Sequence, residues 1–492
     1  MLTLDSMAKK KNSPEVKKYL FTSAQASYYE NKDGDHLPWG GGKNGKAAPH
    51  KKLLEGFETF AKETGAELVI APIAGRNTRE DILHEDLENR VERFDGELLR
   101  LNQNLQFRDI VVPAQNVDPT TGKATLVSKY NSSLIIPHTK QRVLPVPVFE
   151  ADLPRYIHST GAVTLPNYNL ANHRGDTADR NHILGGLVVE VVDGVYYNIR
   201  HVRSLKNGKF VDLGTEFNGD KAPKQAGVDT LVLGDIHWGD HDPKTIEANY
   251  EMIEFFKPKR IILHDFFNGH SINHHEKDNL LVRAREFKRG RLSLDDELKA
   301  DREELARLSK AAGSKTPIYV VASNHHAFLP TYINGLSWAK KDLWNSEVGS
   351  ELLARGISLD LPEKEIDDAS YLIEEGMKRH GIIPDNVQFL RLKDNLRRHG
   401  YQLASHGHKG SHGSRGGGAK AREKTGGGKS ISAHSHAMEL YGDTYIVGTS
   451  TKLDLPYTAG GGSAWIAANG VLYDNGTAQL LPIIGGKWKA KN

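Results

Sequence analysis

The second half of the chain repeats one pattern, in which a short apolar segment typical of a β-strand runs directly into aspartate, histidine or asparagine. The apolar segments are residues 230–233, 260–263, 318–322, 402–404 and 430–432. The polar residues that follow them are, in order, Asp235 and His237, Asp265, Asn324 and His325, His406, and His434 and His436. In open α/β sheets, ligands bind in the crevice outside the carboxyl ends of the strands. We therefore expect one sheet whose strand ends bring these side chains together.

Helical patterns separate these strands. Apolar residues at helical spacing occur at 245–256, in a long charged stretch from about 278 to 312, and at 366–379. Strand and helix alternation of this kind predicts an α/β (α+β) fold, with a sheet covered by helices. Toward the end, segments 445–448, 464–468 and 471–473 read as short strands, with turns at Asn469-Gly470 and Asn475-Gly476. They predict an antiparallel meander that closes the domain.

The first 225 residues predict a separate α/β domain whose role the sequence does not reveal. Its predicted elements are a helix at 53–62, a strand at 66–73, a charged helix at 80–101, strands at 109–113 and 133–137, and a hairpin of 185–192 with 195–199. The Gly- and Lys-rich stretch 205–228 predicts a boundary. The expected organisation is a flexible basic arm at 1–17, an N-terminal domain at 18–225 and a catalytic domain at 226–492. A homo-oligomer formed through the N-terminal domain is left open.

The amino-acid composition limits the kinds of metal site and catalysis that the chain can support. The 492 residues include no cysteine, which excludes thiolate zinc sites, iron–sulfur clusters and cysteine catalysis. They include 23 histidines, so a transition metal would be held by nitrogen and oxygen ligands. The net charge is only +3, so nucleic-acid binding would depend on local patches. No apolar run reaches the roughly 18 residues of a membrane span, and no secretory signal is evident. We therefore expect a cytoplasmic protein without a membrane partner.

The residues at the strand ends suit a site with two metal ions. An Asp and a His one residue apart can chelate one ion, and a single carboxylate such as Asp265 can bridge two ions about 3.5–4 Å apart. Such a pair of ions lowers the pKa of a bound water and holds both the attacking and the leaving oxygen of a phosphoryl displacement. Each motif alone is equally typical of a solvated loop. Their shared position after strands in one half of the chain favours the metal site.

The series Asp-x-His, Asp, Asn-His, His and His-x-His resembles the calcineurin-like metallophosphoesterase superfamily over about residues 228–480. The resemblance implies a β-sandwich flanked by helices and two divalent metal ions, first of all Mn²⁺, with Mg²⁺, Fe or Zn²⁺ as alternatives. It implies that His325 protonates the leaving oxygen. The first ion would be held by Asp235, His237, Asp265 and His436, and the second by Asp265, Asn324, His406 and His434. The chain departs from the family pattern at His264, Ser323, His326 and Ala433, none of which removes a ligand.

A cationic, glycine-rich insertion at 407–429 lies between two of the ligand motifs and indicates which class of substrate the site binds. A flexible cationic rim suits a polyanionic backbone, because each neutralised phosphate releases counterions. The alternative is a disordered linker that only adds solubility. The insertion's cations, which we predict to contact DNA, are Lys409, Arg415, Lys420, Arg422, Lys424 and Lys429. His274 and His275 either contact substrate phosphate or belong to a solvated loop.

The segment HGHKGSHGSRGG, followed by HSH and YIVGTSTKLDLPYTAGGGSAW, resembles a subgroup of this superfamily found in large bacteriophages. The subgroup includes DNases that degrade host DNA, and SbcD-type repair nucleases are more distant relatives. The resemblance implies a metal-dependent DNase that acts in the host cytoplasm. The alternatives are a phosphatase or nucleotide phosphodiesterase, with a closed pocket, and a non-catalytic scaffold of the same fold, which would lack ligands.

Overall fold

The structure is a computed structural model that describes residues 16–30, 33, 36–38, 47–73, 82–91, 98–110, 112–149, 153–276, 278–359, 370–424, 428–455 and 460–490. Its strands are β1 (Lys17–Gln25), β2 (Tyr28–Glu30), β3 (His36–Pro38), β4 (Glu67–Ile73), β5 (Leu98–Asn102), β6 (Leu105–Arg108), β7 (Ser133–Ile136), β8 (His138–Val146), β9 (Arg155–Gly161), β10 (Gly185–Val191), β11 (Tyr197–Arg203), β12 (Phe210–Asp212), β13 (Thr215–Asn218), β14 (Lys221–Gln225), β15 (Val228–Leu233), β16 (Arg260–Leu263), β17 (Ile318–Val320), β18 (Val387–Phe389), β19 (Arg397–Arg398), β20 (Tyr401–Gln402), β21 (Ser430–Ser432), β22 (Glu439–Tyr441), β23 (Thr444–Ile446), β24 (Ala467–Tyr473) and β25 (Ala478–Ile483).

The α-helices are α1 (Lys51–Thr64), α2 (Ala124–Tyr130), α3 (His173–Arg180), α4 (Pro243–Phe256), α5 (Leu280–Lys288), α6 (Leu294–Ala312), α7 (Phe328–Asn334), α8 (Ser337–Lys340), α9 (Ser346–Ser358), α10 (Ser370–Lys378) and α11 (Ala419–Glu423). Short 3₁₀ turns occur at His270–Ile272, Leu343–Asn345 and Ser411–Gly413. Local sequence explains where the two largest helices of the second half begin. Asp242 caps α4 before Pro243, and Ser293 caps α6 through the amide of Asp296.

A six-stranded sheet carries the second half of the chain, in the order β18-β17-β16-β15-β24-β25. The first four strands are parallel, β24 runs antiparallel to its neighbour β15, and β25 runs antiparallel to β24. Successive side chains of a strand point to opposite faces. Leu231 and Leu233 accordingly face one core, which α4, α6 and α10 complete with residues such as Met252 and Leu298. Val232 faces a second core on the other side of the sheet.

That second core is shared with a ten-stranded mixed sheet, in the order β19-β20-β21-β23-β22-β8-β9-β7-β6-β5. Ile431, Leu440 and Tyr445 of this sheet pack in one cluster with Val232 and Ile262 of the six-stranded sheet. The two sheets therefore face each other, and helices cover the outer face of the smaller one. The mixed α/β fold predicted from the sequence is confirmed.

The ten-stranded sheet joins the two halves of the chain. Leu440 and Tyr441 of β22 pair with Val143 and Arg142 of β8 in antiparallel register. A smaller sheet has the strand order β11-β10-β1-β4, and helix α1 packs against one of its faces. Its other face packs on the ten-stranded sheet, in a cluster that includes Phe107. The division of the chain near residue 225 remains a prediction, and strands from both sides of that position share one sheet.

Three predictions of secondary structure are wrong. The described part of 80–101 contains turns at 85–90 and strand β5, which pairs with β6, and no α-helix. The charged residues there favour a helix in isolation, but pairing within the sheet decides the outcome. The strand predicted at 109–113 lies earlier, as β6, and ends at Arg108. Residues 80–81, 92–97 and 111 lie outside the described part.

The third wrong prediction is the antiparallel meander with a turn at Asn469-Gly470. These two residues lie inside strand β24, residues 464–466 form no strand, and the segment predicted at 445–448 contributes to β23 of the ten-stranded sheet. Gly470 is needed because the facing sheet comes close, and a Cβ there would lie 3.1 Å from Val447 Cγ1. Asn469 is fully buried, and its carboxamide accepts from the Gly234 amide at 2.9 Å and donates to Asn249 Oδ1 at 2.7 Å. Residues 1–15 of the predicted basic arm and residues 366–369 of the predicted helix 366–379 lie outside the described residues.

Candidate metal centre

Neighbouring parallel strands β15 and β16 deliver the first two aspartates side by side. Asp235 and His237 follow β15, and Asp265 follows β16. The His237 amide donates to the Asp265 carbonyl at 2.7 Å, and this hydrogen bond joins the segments that follow β15 and β16. The Asp235 amide donates to Gly448, and the Asp235 carbonyl accepts from the Ser450 amide at 2.7 Å. Backbone hydrogen bonds therefore set the spacing of the two carboxylates.

One group of potential ligands consists of four buried residues whose donor atoms all lie within 4.8 Å of one another, namely Asp235, His237, Asp265 and His436. The Nε2 atoms of His237 and His436 are 3.0 Å apart. His436 Nε2 lies 3.3 Å from Asp235 Oδ2, and His237 Nε2 lies 3.5 Å from Asp265 Oδ2. These are the four residues that the family resemblance assigns to the first ion.

A second group, formed by Asp265, His406 and His434, meets the same 4.8 Å limit and shares Asp265 with the first. His406 Nε2 lies 3.0 Å from Asp265 Oδ2 and 3.1 Å from Asn324 Oδ1. Asn324 therefore joins this group through its carboxamide oxygen. The structure thus brings together all seven residues that the sequence predicts as ligands.

Three histidines of the site have a lowered pKa, which favours the neutral form that binds metals. Burial lowers the pKa of His436 to about 3, and burial together with the neighbouring His406 lowers that of His434 to about 4. Burial and the nearby His325 hold the pKa of His237 well below its usual range. Neutral imidazole is the form that ligates a metal ion, so these side chains need lose no proton at neutral pH.

The surroundings of the two aspartates shift their pKa values in opposite directions. Burial, together with the charge of Asp265, raises the pKa of Asp235 well above its usual range. Burial also works to raise the pKa of Asp265, but His406, His325 and His237 hold it well below the usual range. Within the described residues, the Oδ1 atom of each aspartate is buried without a hydrogen-bond partner. Buried oxygens without partners are rare and costly, and a cation would satisfy them. The donor set therefore fits divalent metal ions with nitrogen and oxygen ligands.

Four of the ligands have left-handed backbone conformations. The φ angles are 43° at His237, 41° at Asp265, 80° at His434 and 56° at His436. Such a conformation costs a non-glycine residue on the order of 1–3 kcal/mol, and residues of this kind cluster at functional sites. The fold therefore stores strain in the positions that aim these side chains at one another.

His325 lies beside the ligand groups and belongs to neither of them. Its ring is 4.4 Å from that of His237, and its Nδ1 is 2.6 Å from the carbonyl oxygen of Asn268. The Asn268 side chain donates in turn to Asp240 Oδ2 at 2.7 Å. Because the Asn268 carbonyl can only accept, the proton on Nδ1 is held there, and Nε2 is the nitrogen left for a ligand.

The ligand groups open into a cavity of about 1310 Å³. Its lining includes His237, Asp265, Asn324, His434 and His436, and the cations Arg285, Arg289, Arg291, Arg415 and Lys452. Aromatic rings flank the centre, since Trp465 lies 4.2 Å from His436 and Phe328 lies 4.7 Å from His325. The sequence analysis missed Asn268, Phe328, Lys452 and Trp465. Asn268 and Phe328 match no motif. Lys452 and Trp465 lie in the segment that carries the phage resemblance, but only the folded chain places them at the cavity.

The predicted DNA contacts separate into two sets. Arg415, His274 and His275 line the cavity, and Lys409 pairs with Arg415 through the backbone. Lys420 forms an ion pair with Asp118 at 2.9 Å, and Lys429 lies 3.7 Å from Asp443. Lys420, Lys429 and the exposed Lys424 are not among the residues that line the cavity. Residues 425–427 of the insertion lie outside the described part.

Arg422 is turned inward, so the structure does not place it at the rim. Its guanidinium donates to Gly417 O at 2.7 Å, Ser432 Oγ at 2.6 Å and Ala433 O at 3.0 Å. Ser432 and Ala433 immediately precede His434, and a Cβ at Gly407, beside His406, would lie 2.2 Å from Arg422 Nη1. Arg422 therefore braces the insertion and both loops that present His406 and His434.

We expect Arg422→Met to weaken metal binding at the group that contains His406 and His434. Partners that orient metal ligands typically contribute about 10–100-fold to affinity. Titration of the metal-free protein with Mn²⁺, followed by calorimetry, measures the change. Lys424→Met serves as the control, since Lys424 is exposed and lies two residues further along the chain. Equal Mn²⁺ affinities for the two variants would show that the brace has no influence on the site.

Comparison with known proteins gives one relative. The chain is 28% identical to Protein A1 of Escherichia phage T5 over 459 residues, which cover 90% of this chain and 81% of that protein. No protein family profile matches the chain, and no solved structure matches it. The similarity extends over most of both chains and indicates a protein of phage type.

None of the helices in the described ranges combines the length and the apolar composition that a membrane span requires.

Proposed function

We propose that this chain is a metal-dependent phosphodiesterase that cleaves DNA, built on the calcineurin-like metallophosphoesterase plan. The observation that carries the proposal is the pair of ligand groups that share Asp265 at the ends of parallel strands. A shared carboxylate is what a two-metal phosphoesterase site requires. The order of the ligands along the chain is the order that the resemblance implies.

The chain's own residues have distinct tasks in this proposal. Asp235, His237 and His436 would hold one ion, Asn324, His406 and His434 would hold the other, and Asp265 belongs to both ligand groups. Two divalent ions, first of all Mn²⁺, would supply a nucleophile at neutral pH and stabilise charge on the phosphate oxygens. The ligand set contains only two carboxylates, so the ions would keep enough positive charge for this purpose.

His325 acts as the general acid. Its Nδ1 is bound to the Asn268 carbonyl at 2.6 Å, which orients the ring and leaves Nε2 to donate a proton to the leaving oxygen of the DNA strand. The ring is part of the cavity lining and lies beside the ligand His237. A proton donor in this position makes cleavage of an alkoxide-type leaving group feasible at neutral pH.

The cavity supports a polymeric substrate over a small one. At about 1310 Å³ it exceeds the usual 300–1,000 Å³ of small-molecule pockets, and it carries five cationic side chains. The resemblance to phage DNases and the relative from a phage support DNA as the polymer and the host cytoplasm as the place of action. Every predicted ligand position is filled, which argues against a non-catalytic scaffold.

The decisive assay uses the purified chain with plasmid DNA, linear DNA and mononucleotides. We expect cleavage of DNA with Mn²⁺, weaker cleavage with Mg²⁺ and none in EDTA, with activity restored when excess Mn²⁺ is added back. Plasmid nicking would identify an endonuclease, and shortening of linear DNA alone would identify an exonuclease. Hydrolysis of mononucleotides with intact DNA would contradict the proposal and favour a phosphatase.

A further inference from the structure

One wall of the metal cavity carries three arginines that share a single buried carboxylate. Glu286 is only 6% exposed. Its Oε1 accepts from Arg285 Nε at 3.0 Å and from Arg289 Nη1 at 3.2 Å, and its Oε2 lies 3.4 Å from Arg291 Nε. All four side chains line the cavity that the metal ligands line. We call the three arginines with Glu286 the arginine wall.

This arrangement has more positive charge than the fold requires. Three guanidiniums here contact two carboxylates, Glu286 and Asp240, and guanidiniums beside one another repel. Exposed ion pairs contribute only about 0–1 kcal/mol, so they do not account for the clustering. The side chains of Arg285 and Arg289 are 41% and 55% exposed, and they face the cavity with donors to spare.

The donors that remain have the geometry of an oxyanion site. A guanidinium presents five N–H groups in a planar fork that matches the oxygens of a phosphate. Arg285 donates to Glu286 through Nε. This contact orients the guanidinium and does not involve its two terminal nitrogens. Glu286 thus fixes the arginines in position before a ligand arrives, which reduces the entropy lost on binding.

The arginine wall is connected to the proposed general acid. Arg291 Nη2 lies 2.8 Å from Asp240 Oδ1, and Asp240 accepts from the side chain of Asn268 at 2.7 Å. The carbonyl of Asn268 holds His325. The wall therefore lies on the His325 side of the metal centre, the side from which the leaving oxygen departs.

We propose that the arginine wall binds backbone phosphates of the substrate strand on the leaving-group side of the scissile phosphodiester. This inference rests on the proposed function and specifies how DNA is held at the site. It gives Arg285 and Arg289 a role in substrate binding that the lysines of the glycine-rich insertion, paired with Asp118 and Asp443, do not share. Arg291, tied to Asp240, has a positioning role in addition.

The test compares DNA binding by the full chain and by the double variant Arg285→Gln/Arg289→Gln. Fluorescence anisotropy of a labelled oligonucleotide is measured in EDTA over a range of salt concentrations, so that no cleavage occurs. Each lost phosphate contact lowers the slope of log K against log salt by about one, so we expect a slope smaller by up to about two. Hydrolysis of the small ester bis(p-nitrophenyl) phosphate with Mn²⁺ should stay within about twofold of the wild type, because the metal ligands are untouched.

Two further variants isolate the effect. Arg285→Lys/Arg289→Lys keeps the charge and should keep the slope, so a loss there would point to disruption of the fold and contradict the electrostatic role. Lys51→Gln/Lys62→Gln removes the same number of charges from exposed positions of α1, outside the cavity lining, and should leave binding unchanged. Equal affinity and slope for the wild type and the glutamine variant of the wall would overturn the inference. The assay in EDTA does not depend on cleavage, so failure of the enzymatic proposal is recorded separately by the wild-type cleavage assay.

Discussion

Replacing Asp265 with asparagine is expected to give a protein that holds neither metal ion firmly and no longer cuts DNA. Asp265 is the member that both ligand groups share, and its carboxylate lies 3.0 Å from His406 Nε2 and 3.5 Å from His237 Nε2. An amide in its place supplies one weaker oxygen and no charge. Without the ions, the attacking water keeps the high pKa of bulk water, far above that of a metal-bound water, so cleavage should fall to background.

Elemental analysis of the purified variant, together with a plasmid cleavage assay, measures both effects at once. Asp454→Asn provides the matched control, since Asp454 is an exposed aspartate of the same cavity that belongs to neither ligand group. That control should keep its metal and most of its activity. Full metal content and full cleavage in Asp265→Asn would show that the two groups are not bridged by this residue.

His325→Ala is expected to separate chemistry from metal binding. His325 lies outside both ligand groups, so metal content should stay near that of the wild type. General acid catalysis contributes about 10²–10⁴-fold, and DNA cleavage should fall by an amount in that range. An ester with a p-nitrophenolate leaving group needs no proton and should lose much less.

The comparison of the two substrates is the essential readout for His325. His173→Ala, a change at an exposed histidine on α3, controls for general effects of removing an imidazole. If DNA and the activated ester lose rate equally, His325 acts through the metal centre or the fold and not as a proton donor. Loss of bound metal in the variant would lead to the same conclusion.

The metal centre was predictable because its information is local. Asp235 and Asp265 follow neighbouring parallel strands within two residues, and His434 follows a strand of the facing ten-stranded sheet at the same distance. A reader of the sequence needs only the strand ends and the chemistry of the side chains. The expectation of one sheet is wrong: segments 230–233, 260–263 and 318–322 contribute neighbouring strands of the six-stranded sheet, but 402–404 and 430–432 contribute to the ten-stranded sheet.

Features that depend on distant parts of the chain were not predictable in this way. Asn469-Gly470 has the composition of a turn, yet the close approach of Val447 from the facing sheet makes it the interior of a strand. Arg422 lies in a segment whose composition is typical of a solvated loop, yet its guanidinium donates a hydrogen bond to Ser432. In both cases the deciding contact comes from a segment whose position the local pattern does not specify.

The pairing of β22 with β8 has a consequence for the newly made chain. Leu440 meets Val143 across about 300 positions of sequence, so at roughly 5–20 residues per second β8 waits about 15–60 s on the ribosome for its partner. His434 and His436 emerge only just before β22. A nascent chain that has not reached these residues therefore lacks both the closed sheet and the last potential metal ligands, and we expect it to be inactive until they have been made.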